Sequence, residues 1–484
     1  MNTQDVIGQL VSIVGDRNVL SDPTELTTYE CDGFPIAKGM PVAVVFPTST
    51  DQVVACVRLI GDAGLQLISR GSGTGLAGGC VAFADGVIVS TSRMNQVVSV
   101  DIENRTAVVE AGVRNLELSE YVSQIPGGER LHFAPDPSSQ RASTVGGNAA
   151  TNAGGIHTLK HGVTSNHVLG MEVVLPDGSL TNIRCGGVHE GMGPDLAGLV
   201  CGSEGTFGLI TRVCVKLTPK ARSFRTIVGI YDDSRKASQS VAQIIGAGVI
   251  PAAMEMMDGK MIEVVEDTFH YGFPRDARAL LLIEIDGIEA VLDEQMEQVA
   301  GICEQTGARS VECSADPVKR AELWSARKRT FGAIGRISPS YCTQDACVPR
   351  SMLPDVIDRI SSIGTKYGMT ITNVFHAGDG NVHPILLFDE DNPEEVNNTM
   401  LASHEILEYC ISIGGTLTGE HGVGVEKLPM MKIMFNEATM DTFGRLKSAF
   451  DPDDQCNAGK LIPSKKIDVD LLKPMHVGVP GGAM

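Results

Sequence analysis

The stretch PDPSSQRASTVGGNAATNAGGIHTLKHG, residues 135–162, gathers glycine, alanine, serine, threonine and asparagine with almost no large apolar side chain. Such a run cannot order itself by burying its own residues. Small residues let backbone N–H groups come close to a ligand, and Pro135, Pro137, Ser138 and Ser139 pre-set turns whose amides and hydroxyls can hold phosphate oxygens. The expected occupant is a large polyphosphate cofactor, with a flexible surface linker as the alternative. The sequel argues against a linker. Val168 to Leu175 reads as a buried apolar strand closed by the turn Pro176-Asp177-Gly178, so the stretch lies inside a folded domain.

Two further small-residue segments flank it. Upstream, a helix around Val6 to Val14 and an irregular passage through Cys31-Asp32-Gly33 precede a strand-like run at Pro41 to Phe46. Pro47-Thr48-Ser49-Thr50 then supplies capping residues for a helix with Val53, Val54, Val57 and Ile60 on one face. A strand at Gln66 to Arg70 runs into GSGTGLAGG, where Gly73, Gly75 and Gly78 match a G-x-G-x-x-G phosphate fingerprint. The next strand, Gly86 to Ser92, begins too soon for a crossover helix, so this is a glycine loop between strands rather than a dinucleotide-binding turn. Strands at Gln96 to Asp101 and Thr106 to Val113 and a helix near Asn115 to Ile125 lead back to the opening stretch. Downstream, Cys201 to Ile210 is a third small-residue segment, running into a strand that ends near Leu217.

Composition bounds the rest. A chain of 484 residues, 43% hydrophobic and 20% charged, is long enough for two or three cores. Its net charge of −20 opposes binding to nucleic acid or to an anionic membrane surface, so an anionic substrate needs locally placed cations. Twelve cysteines are scattered singly, the closest pair being Cys342 and Cys347, which signals neither a cluster nor a disulfide framework. No apolar run reaches the roughly 18 residues a spanning helix needs, and the first ten residues carry no basic stretch. The expectation is a cytoplasmic protein that meets a membrane only through a partner.

Taken together, Pro47-Thr48-Ser49, RGSGTGLAGG at 70–79, PDPSS with the GGN-x-x-x-N-A-G-G run, and GSEGTFGLIT resemble the FAD domain of the vanillyl-alcohol oxidase, or PCMH-type, flavoproteins. The resemblance spans nearly the whole chain and is strongest to the FAD-binding subunits of bacterial glycolate oxidases, with D-lactate and D-2-hydroxyglutarate dehydrogenases as relatives. It implies an α+β protein: a two-subdomain FAD-binding domain at 1–219, a substrate or cap domain with an antiparallel sheet at 220–440, and a helical tail at 441–484 returning to the flavin. It carries flavin contacts onto Pro47, Arg70, Gly71, Ser72, Gly73, Thr74, Gly75, Gly78, Pro135, Ser138, Ser139, Gly146, Gly147, Asn148, Asn152, Gly154, Gly155, Glu204, Gly205, Gly208, Ile210 and Asn457. Some relatives tether the flavin through a histidine in the first loop. Residues 70–79 hold none, so non-covalent FAD is implied.

Beyond Thr218-Pro219-Lys220 the pattern turns to strand then helix. Arg225 to Tyr231 precedes Ser234 to Gly246, and Ala279 to Asp286 precedes a helix with Leu292, Met296, Val299 and Cys303 on one stripe. Residues 316–337 read as one further helix with the cations Arg327, Lys328 and Arg329. The final helix, Glu437 to Phe450, ends at Asp451-Pro452, and Val477 to Met484 reads as a frayed end. Between the apolar runs Ile371 to Phe375 and Pro384 to Phe388, Asp379-Gly380 signals a two-residue hairpin turn that sets His376 opposite His383, a spacing at which two imidazoles can share a metal. The glycine-rich loop Thr418 to Gly424 offers Glu420 and His421 beside them.

Two histidines and a glutamate leave a coordination position open, as catalytic divalent sites do. The resemblance implies a metal, Zn²⁺ or another divalent ion, on His376, His383 and Glu420, with His421 as base. Arg327 is the candidate grip for a substrate carboxylate. The implied reaction is oxidation of a small 2-hydroxy acid, with electrons leaving to an iron–sulfur partner chain or a quinone-linked acceptor. The oligomeric state is open, a homodimer included. Relatives that take dicarboxylates carry a lysine before the aspartate where this chain has Gln344-Asp345, and a polar amide where it has Ile385. That favours a monocarboxylate, glycolate or D-lactate, over 2-hydroxyglutarate, unless Arg350 or Lys328 takes the distal role. The rival readings are a transferase like alkyl-glycerone-phosphate synthase and a flavoprotein without catalytic activity.

Overall fold

The computed structural model describes residues 2–83, 86–184 and 193–464, so the end at Val477 to Met484 lies outside the described residues. Two larger sheets form the N-terminal part, beside a two-stranded pairing of Leu131–His132 with Thr218–Pro219. Gln66–Arg70, Gly86–Ser90 and Ala43–Val45 run parallel, with Val19–Leu20 antiparallel at one edge. The loop at 71–83 leaves this sheet without a helix, as its glycines require. The second sheet is antiparallel, in the order Val97–Asp101, Thr106–Glu110, Leu209–Lys216, Val168–Val174 and Leu180–Ile183. The helix Thr50–Asp62, capped by Ser49, buries Val53, Cys56, Val57 and Ile60 against the first sheet.

The opening stretch differs from a pure loop. Its Gly146-Gly147-Asn148 run forms the short helix Val145–Thr151, because the Thr144 hydroxyl accepts from the Gly147 amide at 3.1 Å and Val145 and Ala149 bury one side. Asn152 then ends that helix in the left-handed conformation at φ 54°.

From Ser223 to Phe388 seven strands form an antiparallel sheet in the order Ser310–Ser314, Ser223–Tyr231, Ala279–Gly287, Ala253–Asp258, Ile371–His376, Asn381–Phe388 and Ser340–Thr343, with Ala346–Cys347 also paired to Asn381–Phe388. One face is covered by the helices Ser234–Gly246, Glu289–Gln305, Leu353–Tyr367 and Pro393–Ser412. The other packs Gly259–Phe269 and Pro317–Lys328, and it is this second face that carries the site. The expected single helix at 316–337 is two, Pro317–Lys328 and Thr330–Ile334, broken at Arg329.

The chain then returns. After the helix Glu437–Phe450, Cys456 pairs with Leu67 as an extra parallel bridge on the first sheet. Lys447, buried, donates to the carbonyls of Thr206 and Cys456 and to Asp451. Asn457 donates to the carbonyls of Gly79 and Glu204, tying two of the small-residue loops together.

Candidate active site

One cavity is lined by all three small-residue segments and by the second face of the antiparallel sheet. From the first loop come Arg70, Gly71, Ser72, Gly73, Thr74 and Gly75, from the second Ser138, Ser139, Gly146, Gly147 and Asn148, and from the third Glu204, Gly205, Gly208 and Ile210. Gly73 sits at φ 69°, where any side chain would collide with the Arg70 guanidinium. Ser143 Oγ and Asn148 Nδ2 are buried, belong to residues that line the cavity, and have no hydrogen-bond partner among the described residues. Orphaned buried donors beside glycine-rich backbone fit a polar, phosphate-bearing cofactor.

Seven candidates do not line it. Pro47 is buried at the end of Ala43–Val45, and Pro135 presents its carbonyl to Asn115. Gly78 lets Val425 approach, Gly155 lets the Asp136 backbone approach, and Gly154 leaves room for Glu420, whose Oε2 would stand 2.8 Å from a Cβ there. Asn152 accepts from the Ser165 amide, and Asn457 acts as the loop tie already described. These residues shape the walls. Even Glu204, which lines the cavity, turns its carboxylate to the amides of Val423 and Gly424 at 2.7 and 2.8 Å.

Across the cavity stand Arg327, Phe331, Tyr341, His376, His383, Glu420 and His421. The hairpin register differs from the expected one. His376 pairs with Asn381 and His383 with Val374, so the turn is the four residues Ala377 to Gly380 rather than Asp379-Gly380 alone. The two histidines are diagonal neighbours on one face, still within reach of each other, with ring centroids 4.9 Å apart. Their Nε2 atoms lie 3.1 and 3.2 Å from the same oxygen, Oε1 of Glu420.

Each ring is oriented from behind. His376 Nδ1 is 2.6 Å from Oε1 of Glu255, and His383 Nδ1 is 3.2 Å from the Gln344 carbonyl, which leaves both Nε2 atoms turned to Glu420. Burial opposes charge on His376, but Glu255 and Glu420 raise its pKa well above the usual imidazole range. Burial likewise opposes charge on Glu420, and His376 and His383 hold its carboxyl below the ordinary carboxylate range.

A second set, Asp345, His383 and His421, is also close enough for one ion. Asp345 is unsuited to it. Its oxygens accept from Thr418 Oγ1, from the amides of Gly419, Glu420 and His421, and from Lys427 Nζ at 3.2 Å. A carboxylate so saturated, beside a buried ammonium, holds the loop in place, whereas His376, His383 and Glu420 have donor atoms that face one another.

His421 stacks on His383 with centroids 5.0 Å apart and an interplanar angle of 10°. Burial, with His383 and Lys427 adding repulsion, pulls its pKa down to about 4, so the ring is neutral at pH 7. Its Nε2 is 3.8 Å from Glu420 Oε1. Arg327 is not the solvated helix residue its neighbours Lys328 and Arg329 are. It is 3% exposed, and its Nε donates to Oε2 of Glu255 at 2.6 Å. Gln344 corrects the reading of the distal site. It faces the opposite side of the sheet, where its amide donates to Ser403 Oγ and Glu426 Oε1, so no group at 344 can reach a substrate.

Glu255 and the loop-holding role of Asp345 are absent from the sequence reading. The available signal for Glu255 is one acid inside the apolar strand AMEMMD, a residue type that is buried only when paired.

Glycine loops converging on orphaned donors, opposite a histidine–carboxylate cluster on an antiparallel sheet, define a flavoprotein oxidoreductase. The comparisons agree: residues 41–184 match the FAD binding domain and residues 220–461 the C-terminal domain of FAD linked oxidases. The chain belongs to the FAD-linked oxidase family and carries an FAD-binding domain of the PCMH type. It is 40% identical to glycolate oxidase subunit GlcD of Escherichia coli over 92% of this chain and 88% of that one. It is 38% identical to the GlcD subunit of Bacillus subtilis over 95% and 97%, and 30% identical to the D-lactate dehydrogenase of Archaeoglobus fulgidus over 87% and 91%. The fold is shared with 4-ethylphenol oxidase from Gulosibacter chungangensis at a TM-score of 0.79, 20% identity and coverage of 96% and 98%. It is shared too with alkyldihydroxyacetonephosphate synthase at a TM-score of 0.72, 19% identity and coverage of 94% and 85%. Among the described residues no helix is long and apolar enough to cross a membrane.

Proposed function

We propose that this chain oxidises a small 2-hydroxy acid, glycolate or D-lactate, to the 2-oxo acid, and that electrons leave the flavin to a separate iron–sulfur protein or quinone-linked acceptor. The observation that carries the reading is the convergence of His376 Nε2 and His383 Nε2 on Glu420 Oε1 in the cavity that also takes the glycine loops and Arg327. Similarity to glycolate oxidase subunits and to D-lactate dehydrogenases supports the substrate class.

When bound, FAD accepts a hydride at N5 and a divalent cation acidifies a hydroxyl it coordinates. His376, His383 and Glu420 would hold that cation. His421, kept neutral by burial, accepts the hydroxyl proton of the substrate. Arg327 grips the carboxylate and holds the Cα hydrogen toward the flavin side of the cavity. The flavin is held without a covalent tether by the domain at 1–219 and the substrate by the domain at 220–440, while Lys447 and Asn457 of the returning tail clasp the loops. Anaerobic mixing with glycolate, D-lactate, L-lactate and D-2-hydroxyglutarate, followed by flavin absorbance, tests this. Bleaching by glycolate or D-lactate is expected, and an unchanged spectrum with all four acids sinks the reading.

A further inference from the structure

Glu255 is directly paired with His376 across neighbouring strands and is 1% exposed. Its two oxygens serve different partners, Oε1 the Nδ1 of His376 and Oε2 the Nε of Arg327, each at 2.6 Å. We infer that Glu255 is a positioning residue that sets both halves of the substrate site at once: it fixes His376 in the tautomer whose Nε2 can ligate a metal, and it aims Arg327 at the substrate carboxylate. This rests on the function proposed above.

The physical case is one of donors and acceptors. A carboxylate only accepts, so with a cation between His376 and Glu420 in place of a hydrogen, the imidazole would keep its one hydrogen on Nδ1 toward Glu255 and offer its lone pair at Nε2. His383 obtains the same tautomer from a backbone carbonyl, that of Gln344, so His376 is the ligand whose orientation depends on a side chain. Such carboxylate–histidine pairs also raise the basicity of the ligand. On the other side, Arg327 at 3% exposure needs an anion, and Glu255 supplies it through Nε, leaving the far edge of the guanidinium for a second carboxylate. Charge closes the argument. Glu255 offsets Arg327, so Glu420 and a substrate monocarboxylate together match the charge of one divalent cation.

Glu255→Gln separates this from mere packing, because an amide cannot satisfy both partners. With its oxygen toward His376, its NH₂ meets the Nε–H of Arg327. Flipped, its NH₂ forces the hydrogen of His376 onto Nε2 and blocks ligation. The full-length FAD-loaded chain is compared as wild type, Glu255→Gln and Glu255→Asp. Readouts are Zn²⁺ affinity by chelator competition, the visible band of the Co²⁺-substituted protein, KM for glycolate, FAD content and melting temperature. Glu255→Gln is expected to keep FAD, to bind Zn²⁺ roughly 10–100-fold more weakly, to shift the Co²⁺ band and to raise KM. Glu255→Asp retains charge for both partners at a shorter reach, so a smaller shift in the same direction is expected, and it serves where Glu255→Gln fails to fold. Folded variants with wild-type Zn²⁺ affinity, Co²⁺ band and KM overturn the inference. A wild type that neither binds Zn²⁺ nor bleaches with a 2-hydroxy acid overturns the underlying function instead.

Discussion

His421 shows how much one residue owes to burial. Its ring lies almost parallel to that of His383 and its pKa is pulled down to about 4, first by desolvation and then by its cationic neighbours, so it meets substrate as a neutral base. His421→Ala is expected to keep FAD while slowing anaerobic flavin reduction by roughly 10²–10⁴-fold, the range of a lost general base. Stopped-flow reduction with excess glycolate measures it, and an unchanged rate moves the base elsewhere. The histidines themselves are legible in the sequence because a turn signal separates them. Their register is not, since Asp379-Gly380 occurs inside a four-residue loop as readily as in a two-residue one, and only the sheet fixes that His383 faces Val374. Glu255 is hidden for a related reason. Its importance comes from lying opposite His376, and strand order in an eight-stranded sheet is not written in local pattern.

Elements carry the site through a loop and a helix. The segment Thr418 to His421 has no regular structure, and Asp345 orders it by accepting three of its amides and the Thr418 hydroxyl while pairing with Lys427, which is fully buried. Asp345→Asn leaves Lys427 buried without its anion, so it should lower unfolding free energy by about 3–5 kcal/mol; urea titration measures this, and a midpoint equal to wild type counts against the role. The helix Pro317–Lys328 is anchored likewise: Arg320 and Trp324 donate to Glu284, and His157 from the FAD side stands between Asp136 and Glu284. Burial opposes charge on both His157 and Glu284, yet their partners win. His157 rises to about 10 from 6.5, and Glu284 falls to about 2 from 4.5. The contribution of His157 is therefore complete below pH 6.5 and lost as pH climbs through 10, while that of Glu284 is complete above pH 4.5 and lost toward pH 2. Melting temperature against pH should show both limbs, with His157→Gln flattening the alkaline one; an alkaline limb as steep as wild type in that variant would refute the assignment. Most helices and strands here are legible from periodicity and caps. The helix Val145–Thr151 is not, because glycine and asparagine speak against it and it is held by the Thr144 cap and the tertiary packing of Val145 and Ala149.

At the scale of the molecule, the cavity is closed by contacts between distant parts of the chain, and those contacts bound the substrate. Glu204 grips the loop that carries Glu420, Gly154 makes room for Glu420 itself, and Asn457 ties the first and third loops. On the sheet side the cavity is lined by His376, His383 and Tyr341, with Phe331 at a centroid distance of 6.0 Å from Tyr341. The cations lining the cavity among the described residues are Arg70 and Arg327. Arg70 donates to the Cys31 carbonyl beneath the Tyr29 ring, and Arg327 is already half engaged by Glu255. Neither alternative distal cation is available: Arg350 donates to the Gly378 carbonyl outside the cavity lining, and Lys328 is exposed. With Gln344 gone from the argument, the proposed monocarboxylate preference rests on cations: Arg70 is engaged away from the sheet side, and Arg327 serves the first carboxylate, so a second carboxylate has no cation of its own. Leaving that carboxylate unpaired in a buried site costs several kcal/mol, whereas the one methyl group between glycolate and D-lactate is worth about 1–3 kcal/mol. Reduction per unit concentration should accordingly be at least roughly 10²-fold slower with D-2-hydroxyglutarate than with the better monoacid, and the two monoacids should lie far closer together. Stopped-flow rates across a concentration series for the three acids test it, and a faster reaction with the diacid would place a cation in the cavity that this arrangement of residues does not provide.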